Sequence, residues 1–217
     1  MKKVLLLLAV LFCATLYAEE QVALSSRLIA YVGKKYGGDA KQRIIDWQKL
    51  IEKGKTEPVR KKLKMANDFF NKVDYVSDIE HYGKQDYWAT PVEMLATDGG
   101  DCEDFAIGKY FTLLAMGVPM ESLRITYVRE LRYDPLGQAH MVLAYYETPD
   151  ADPLILDNVD KVIWPGSERD DLIPVYSFNG DGLWLAKERG AGRPVGGADR
   201  ISFWNDLMKR MNEEANQ

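Results

Sequence analysis

The 217-residue sequence has few of the residues that crosslink small folds or bind metals through sulfur and nitrogen. It contains two cysteines and two histidines. Two cysteines cannot form the framework of a disulfide-stabilised domain, and they cannot supply the ligand spacing of a zinc finger. The remaining composition, with 47% hydrophobic and 28% charged residues, is that of a globular protein and excludes a disordered or collagen-like chain.

The sequence lacks an excess of positive charge, since its 28 lysines and arginines are outnumbered by 33 aspartates and glutamates. The formal net charge is −5 and the isoelectric point is about 5.2. Nucleic-acid binding requires a basic surface that neutralises phosphates, so we expect no nucleic-acid partner. Beyond the first 18 residues no hydrophobic run approaches the length of a membrane span, so we expect a protein that is not membrane-embedded.

Residues 1–18 have the layout of a secretory signal peptide. Lys2 and Lys3 precede an apolar run over residues 4–14, and the segment ends at the small residue Ala18. The apolar run is short for a membrane span and has the length of a signal-peptide core. We therefore predict an exported protein whose signal peptide is removed after Ala18.

The order of the predicted elements indicates an α+β fold in a single domain over residues 19–217. Hydrophobic periodicity predicts helices over residues 22–32, 39–53, 57–72, 90–95, 101–116 and 200–211. Alternating patterns predict strands over residues 123–129, 140–147, 154–157, 172–178 and 183–186. The turn-forming residues 148–153 join two of these strands as an antiparallel hairpin, and residues 190–197 form a glycine-rich link.

Loss of the signal peptide leaves Cys102 as the remaining cysteine, at the start of the predicted helix over residues 101–116. Asp101 is a suitable N-cap, and Gly117 ends the helix. The unpaired N–H groups at a helix N-terminus favour a thiolate by about 1 kcal/mol. A nucleophilic thiol also needs a base within hydrogen-bond distance and a group that orients the base.

The sequence offers two histidines as the base. His81 lies in a polar segment, and we expect it at the surface. His140 begins a hydrophobic strand, where it is either a structural histidine or the base. Asp157 lies opposite His140 if the hairpin loop is centred on residues 148–149, and it is offset along the strands if the centre is near Asp150. In either register Asp157 could fix the imidazole tautomer.

Acidic residues surround the cysteine, at positions Asp98, Asp101, Glu103 and Asp104. Neighbouring carboxylates raise the pKa of a thiol, which opposes a nucleophilic role. A bound Ca²⁺ would neutralise these carboxylates, because clustered carboxylate oxygens are its preferred ligands. The alternative is that these residues only cap the helix, and the spacing is not that of an EF-hand.

Three motifs occur in a characteristic order: DCEDFAI at residues 101–107, AHMVL at 139–143 and LDN at 156–158. With the sequence around them they resemble the bacterial transglutaminase-like cysteine proteinases. The likeness extends from about residue 70 to the closing helix. It implies a papain-like, transglutaminase-like core in which the nucleophile begins a helix packed on an antiparallel sheet.

The resemblance also implies the roles of the site residues. Cys102 corresponds to the nucleophile, His140 to the general base and acid, and Asp157 to the residue that orients the imidazole. The family depends on calcium, whose ligands correspond to Asp101 and Glu103, with Asp104 as a further ligand.

The partners follow from the resemblance alone. The family's substrate is the N-terminal region of a large repeat adhesin, cut within a di-alanine motif. Its inhibitor is the periplasmic domain of an inner-membrane cyclic-di-GMP receptor, which sequesters the protease when the nucleotide is abundant. The resemblance therefore implies a periplasmic protease that releases an adhesin and controls biofilm attachment.

Three other functions use the same kinds of residues. A transglutaminase-like acyltransferase has the same triad, but an amine replaces water as the acceptor. A peptidoglycan amidase also uses a cysteine and a histidine, often with a second histidine where this chain has Asp157. A calcium-binding adaptor without activity would retain the three residues as remnants.

Overall fold

A computed structural model of the chain describes residues 24–132, 136–185 and 194–216. The predicted signal peptide lies outside these residues, as does the first half of the predicted link over residues 190–197, so both stay predictions. Within the described part of the chain, no helix is long and apolar enough to cross a membrane.

The N-terminal layer consists of three helices, α1 (Ser26–Tyr36), α2 (Gly38–Gly54) and α3 (Val59–Phe70). The hydroxyl of Ser25 accepts a hydrogen bond from the Leu28 N–H and caps α1. This cap explains why α1 begins four residues after the predicted start. The helices turn their apolar stripes inward, and α2 buries Ile44, Trp47 and Ile51.

The helix that carries the cysteine, α6 (Cys102–Ala115), lies at the centre of the molecule. It contacts α3 on one side and the sheet on the other, and residues 104–115 are all buried. The helical spacing of residues 102, 106, 110, 113 and 114 predicts one face turned towards the core, whereas the structure buries all sides, including Lys109 and Thr112. At Gly108 an added Cβ would lie 2.3 Å from the Phe70 ring, so glycine allows α3 to approach closely.

The main sheet consists of β3 (Leu123–Glu130), β4 (Gln138–Tyr145), β5 (Leu154–Leu156), β6 (Trp164–Pro165), β7 (Leu172–Phe178) and β8 (Leu183–Leu185). These six strands are antiparallel and lie in the order β6-β5-β4-β3-β7-β8. The predicted hairpin between β4 and β5 is confirmed. The α+β class and the antiparallel sheet behind the cysteine helix are confirmed as well.

Short elements shape the approach to the cysteine, and the sequence predicted one of them, the helix over residues 90–95. Strand β1 (Asp74–Tyr75) pairs in parallel with β2 (Gly99–Gly100), which ends one residue before Asp101. Between these strands lie the short helices α4 (Asp78–His81) and α5 (Pro91–Thr97). The chain therefore reaches the cysteine in an extended, hydrogen-bonded conformation.

The closing helix α7 (Ser202–Ala215) packs back onto the centre of the molecule, where Trp204, Leu207 and Met211 are buried. Its polar residues bind the segment before α5. Arg210 donates to the Trp88 carbonyl and pairs with Glu93, and the Thr90 hydroxyl donates to Glu214. The helix runs four residues beyond the predicted end at residue 211, because these contacts extend its last turn.

Candidate active site

Cys102 is the first residue of α6 and a free, half-buried thiol. Its Sγ donates a hydrogen bond to Oε2 of Glu103 at 3.1 Å. Burial and then the carboxylates of Glu103 and Asp101 raise the pKa of the thiol. A backbone hydrogen bond from Met141 acts in the opposite direction and shows that the thiol lies against β4, next to His140.

His140 and Asp157 form the hydrogen-bonded pair that the sequence proposed. Nε2 of His140 lies 2.9 Å from Oδ1 of Asp157, and both side chains are buried. An ionised carboxylate accepts hydrogen bonds, so this contact assigns the proton of the neutral imidazole to Nε2. Nδ1 is then the nitrogen that can accept a proton from a nucleophile.

The register of the β4–β5 hairpin shows whether Asp157 lies directly opposite His140 or is offset along the strands. Leu156 pairs with Leu143 and Leu154 with Tyr145, so the loop is centred between residues 149 and 150. The side chain of Asp157 therefore reaches His140 from an offset position and not from directly across the ladder. Strand β5 ends at Leu156, which frees the backbone at Asp157 to turn towards His140.

Arg169 completes the surroundings of Asp157, and no sequence pattern identified it. Its Nη2 donates to Oδ2 of Asp157 at 2.8 Å, and the guanidinium also binds Asp171. Burial alone would raise the pKa of Asp157. The hydrogen bonds from His140, Val159 and Arg169 outweigh it and hold this pKa well below its usual range. The carboxylate is therefore ionised at neutral pH.

The acidic residues around Cys102 form a cluster with two members from elsewhere in the sequence. Ligand oxygens of Asp78, Asp101 and Asp104 lie within 4.8 Å of one another, and so do those of Asp78, Asp86 and Glu103. Asp78 belongs to α4, which β1 and β2 bring next to the start of α6. Sequence proximity alone could not reveal Asp78 or Asp86, since both precede the motif by more than a dozen residues.

The cluster holds more negative charge than its protein partners neutralise. Burial and then Glu103 raise the pKa of Asp101 to about 8, and burial and then Asp101 raise that of Asp78 to about 6. One oxygen of Asp78 and one of Asp101 are buried without a hydrogen-bond partner in the described part of the chain. Unpaired carboxylate oxygens that face one another are the ligands of a hard divalent cation.

Two of the four acidic residues that the sequence singled out also have structural roles. Asp104 accepts hydrogen bonds from the backbone N–H groups of Ala89 and Asp101, so it caps α6 as the alternative interpretation expected. Asp98 faces away and pairs with Arg43 at 3.1 Å. The acidic residues therefore include both a helix cap and a candidate cation site, and Asp104 belongs to both.

His81 is not the surface residue that its polar segment predicted. It is half-buried, its Nε2 lies 2.8 Å from the Thr97 hydroxyl, and its ring packs on Gly99. The reason is the pairing of β1 with β2, which carries α4 onto the backbone before the cysteine. The imidazole that pairs with a carboxylate is that of His140.

A thiol, an imidazole and a buried carboxylate in this arrangement can perform acyl transfer through a thioester. The backbone N–H of Cys102, at a helix N-terminus, can donate to an oxyanion. The geometry thus supports nucleophilic chemistry on a carbonyl, next to a site for a hard cation.

Comparisons with known proteins agree with this description. The model of the family described as bacterial transglutaminase-like cysteine proteinase BTLCP matches residues 41–171. A structure of Legionella pneumophila LapG is 47% identical, covers 87% of this chain and 98% of that chain, and has a TM-score of 0.74. Comparison with curated protein sequences gave no significant match.

Two further LapG structures from Legionella pneumophila were determined in different metal states. An EGTA-treated structure has a TM-score of 0.76 and a calcium-bound one 0.74. Each is 47% identical and covers 87% of this chain, with 98% and 99% of the respective LapG chains covered.

Proposed function

The chain belongs to the bacterial transglutaminase-like cysteine proteinases, and from that premise we propose that it is a calcium-dependent cysteine endopeptidase. Cys102 is the nucleophile, His140 the general base and acid, and Asp157 the residue that orients the imidazole. The observation that carries this proposal is the contact between Nε2 of His140 and Asp157 at 2.9 Å. It leaves Nδ1 as the ring nitrogen that can accept the thiol proton.

The reaction follows from these positions. Nδ1 of His140 accepts the thiol proton as Sγ of Cys102 attacks the scissile carbonyl carbon. The oxyanion receives a hydrogen bond from the Cys102 N–H. The tetrahedral intermediate collapses to a thioester, and the imidazolium gives its proton to the departing amine. His140 then removes a proton from water, which attacks the thioester, and the returning proton restores the thiol.

Calcium fits the acidic cluster of Asp78, Asp86, Asp101, Glu103 and Asp104. The calcium-bound LapG structure supports this choice of cation for a chain 47% identical to it. A bound Ca²⁺ supplies positive charge that neutralises these carboxylates. In this structure the thiol of Cys102 donates its hydrogen bond to Glu103. Binding of Glu103 to Ca²⁺ would leave His140 as the acceptor for the proton of the Cys102 thiol.

The substrate and the cellular setting extend the proposal. The substrate is the N-terminal region of a large cell-surface adhesin, cut within a di-alanine motif, and its release controls biofilm attachment. The protease works in the periplasm after export by the signal peptide over residues 1–18. The inhibitor is the periplasmic domain of an inner-membrane cyclic-di-GMP receptor. Likeness to the family supports these statements, and the predicted export signal agrees with the location.

A cleavage assay tests the proposal. Purified residues 19–217 are incubated with the N-terminal fragment of a large surface adhesin from the same genome, in calcium or in excess chelator. We expect one cut in calcium, none in chelator and none with Cys102→Ala. Cutting by Cys102→Ala would show that Cys102 is not the nucleophile.

A matched pair of variants tests the acidic cluster. Asp101→Asn should lose most cleavage, whereas Asp98→Asn should keep it, because Asp98 binds Arg43 and faces away from the cluster. Full activity of both variants would show that the acidic residues only cap the helix and that cleavage does not depend on a cation bound at Asp101. A labelled amine that becomes attached to the product would identify an acyltransferase instead.

A further inference from the structure

The second oxygen of the Asp157 carboxylate is bound by an arginine that lies outside the hairpin. Oδ1 accepts from His140 and from the Val159 N–H at 3.0 Å, while Oδ2 accepts from Nη2 of Arg169 at 2.8 Å. The Arg169 and Asp157 side chains are 3% and 0% exposed. Each carboxylate oxygen therefore has its own fixed donor, and the plane of the carboxylate is determined.

The guanidinium is itself held in a defined orientation. Nε and Nη2 of Arg169 each bind a different oxygen of Asp171 at 2.8 Å, which is the two-point contact that a planar guanidinium makes with a carboxylate. Asp171 in turn pairs with Arg132 at 3.0 Å. A chain of charged groups thus runs from the surface to the imidazole of His140.

The stability of the fold alone does not explain why a buried arginine occupies position 169. Nη1 of Arg169 is buried and has no hydrogen-bond partner among the residues that the structure describes. A buried donor without a partner lowers stability, and buried ion pairs give little net stabilisation over apolar groups of similar size. Arg169 does neutralise the buried charge of Asp157, but an apolar pair would fill the same space at lower cost. Control of the carboxylate beside His140 gives the charged pair a use that an apolar pair lacks.

We propose that Arg169 is a positioning residue for His140. It holds the Asp157 carboxylate so that Oδ1 receives the Nε2 proton, which keeps Nδ1 available to the thiol of Cys102. This inference rests on the proposed function, because it gives Arg169 a part in the same catalytic site. Arg169 does not touch the reacting atoms, and its effect passes through Asp157.

The test combines kinetics with the tautomer of the imidazole. In Arg169→Gln the carboxylate can rotate, so we expect kcat to fall about 10- to 100-fold, as for other supporting contacts of a catalytic group, with KM unchanged. Arg169→Lys keeps a cation near Oδ2 but loses the two-point contact with Asp171, so it should recover part of the activity. Arg129→Gln is the matched control, since Arg129 is exposed and donates to the Leu136 carbonyl, outside this chain of charged groups.

The ¹⁵N signals of the imidazoles show directly whether Arg169 controls the tautomer of His140. The chain has two histidines, so ¹⁵N spectra contain two imidazoles, and His81, bound to Thr97, is the internal reference. At a pH where both rings are neutral, we expect the Nε2-protonated form of His140 in the wild type and in Arg129→Gln. We expect a mixture of tautomers in Arg169→Gln. A merely structural role would leave the tautomer of a folded variant unchanged.

The outcomes separate this inference from the proposed function. Wild-type kcat and an unchanged His140 tautomer in Arg169→Gln would overturn the inference and leave the protease intact. A wild-type protein that cleaves nothing would overturn the proposed function, while the tautomer still decides the role of Arg169 without any substrate. If Arg169→Gln does not fold, Asp171→Asn loosens the same guanidinium and should shift the tautomer in the same direction. No shift in Asp171→Asn would also overturn the inference.

Discussion

Nε2 of His140 and Oδ1 of Asp157 lie 2.9 Å apart although the two residues are not opposite each other in the sheet. Continuation of the β4–β5 ladder would place Asp157 level with Val142, two residues from His140. The contact therefore depends on the chain leaving the ladder after Leu156. The backbone after this strand is as important for the pair as the strand itself.

Replacement of Asp157 by asparagine should remove the control of the imidazole tautomer. The amide can donate to Nε2, which stabilises the form with the proton on Nδ1, and this form cannot accept the thiol proton. We expect kcat to fall by about 10²- to 10⁴-fold with little change in KM. Steady-state cleavage kinetics in calcium measure the effect. Asp160→Asn, in the same loop but paired with Arg132, is the control and should stay active.

Lys109 makes stability depend on pH. Its side chain is fully buried and Nζ has no hydrogen-bond partner in the described ranges. Burial lowers its pKa to about 7, against a smaller opposing effect of Asp157. The unfolded lysine titrates near 10.4. Between about pH 7 and pH 10 the unfolded state therefore binds more protons, and this group makes the free energy of unfolding rise with pH.

Lys109→Met removes the buried ammonium and its pH dependence. We expect the variant to be more stable than the wild type by about 1–4 kcal/mol at pH 6, with a smaller difference at pH 10. Urea denaturation of both proteins at the two pH values measures this. Lys64→Met, at a lysine that is 71% exposed, should show no such change with pH. A Lys109→Met advantage that grows with pH would contradict the assignment.

Gly108 is required by the approach of two helices. Alanine favours a helix over glycine by about 1 kcal/mol, yet a Cβ at residue 108 would overlap the Phe70 ring. We expect Gly108→Ala to destabilise the protein by about 1–3 kcal/mol, as overpacked cores do. Chemical denaturation measures it. Gly38→Ala is the control, because nothing lies within 4 Å of an added Cβ there, and it should not destabilise.

Calcium should stabilise the fold through the acidic cluster. A ligand present at 100 times its dissociation constant adds about 2.7 kcal/mol to the free energy of unfolding. Thermal unfolding in calcium and in chelator should therefore differ for the wild type and for Asp98→Asn. The difference should shrink in Asp101→Asn and in Asp78→Asn. An undiminished calcium effect in Asp78→Asn would remove Asp78 from the ligand set.

Local sequence signals explain which elements could be predicted. Asp101 before a helix, Gly117 after it and the alternating residues of β3 and β4 act over a few neighbouring positions. They therefore indicated the cysteine helix and the hairpin. The same signals placed Cys102 at the start of its helix and His140 at the start of a strand, and in the structure that helix packs on that strand.

The remaining features depend on contacts between distant parts of the chain. Asp78 joins Asp101 through the pairing of two-residue strands, which have too few residues to show a periodicity. Arg169 reaches Asp157 because the chain turns back after β6. Lys109 interrupts an apolar helix and has the pattern of an exposed residue, but α6 is covered on every side.

The bonds of α7 to Trp88 and Thr90 affect when the site can become complete during synthesis. Ribosomes make the chain from its N-terminus, so Cys102, His140 and Asp157 all emerge before the helix over residues 202–215 exists. Until then, the segment between α4 and α5 lacks Arg210 and Glu214 as partners. Since the Ala89 N–H binds Asp104 in the first turn of α6, a nascent chain has an unsupported nucleophile region. The contacts that hold the segment before the nucleophile are therefore completed only after the C-terminal helix has been synthesised.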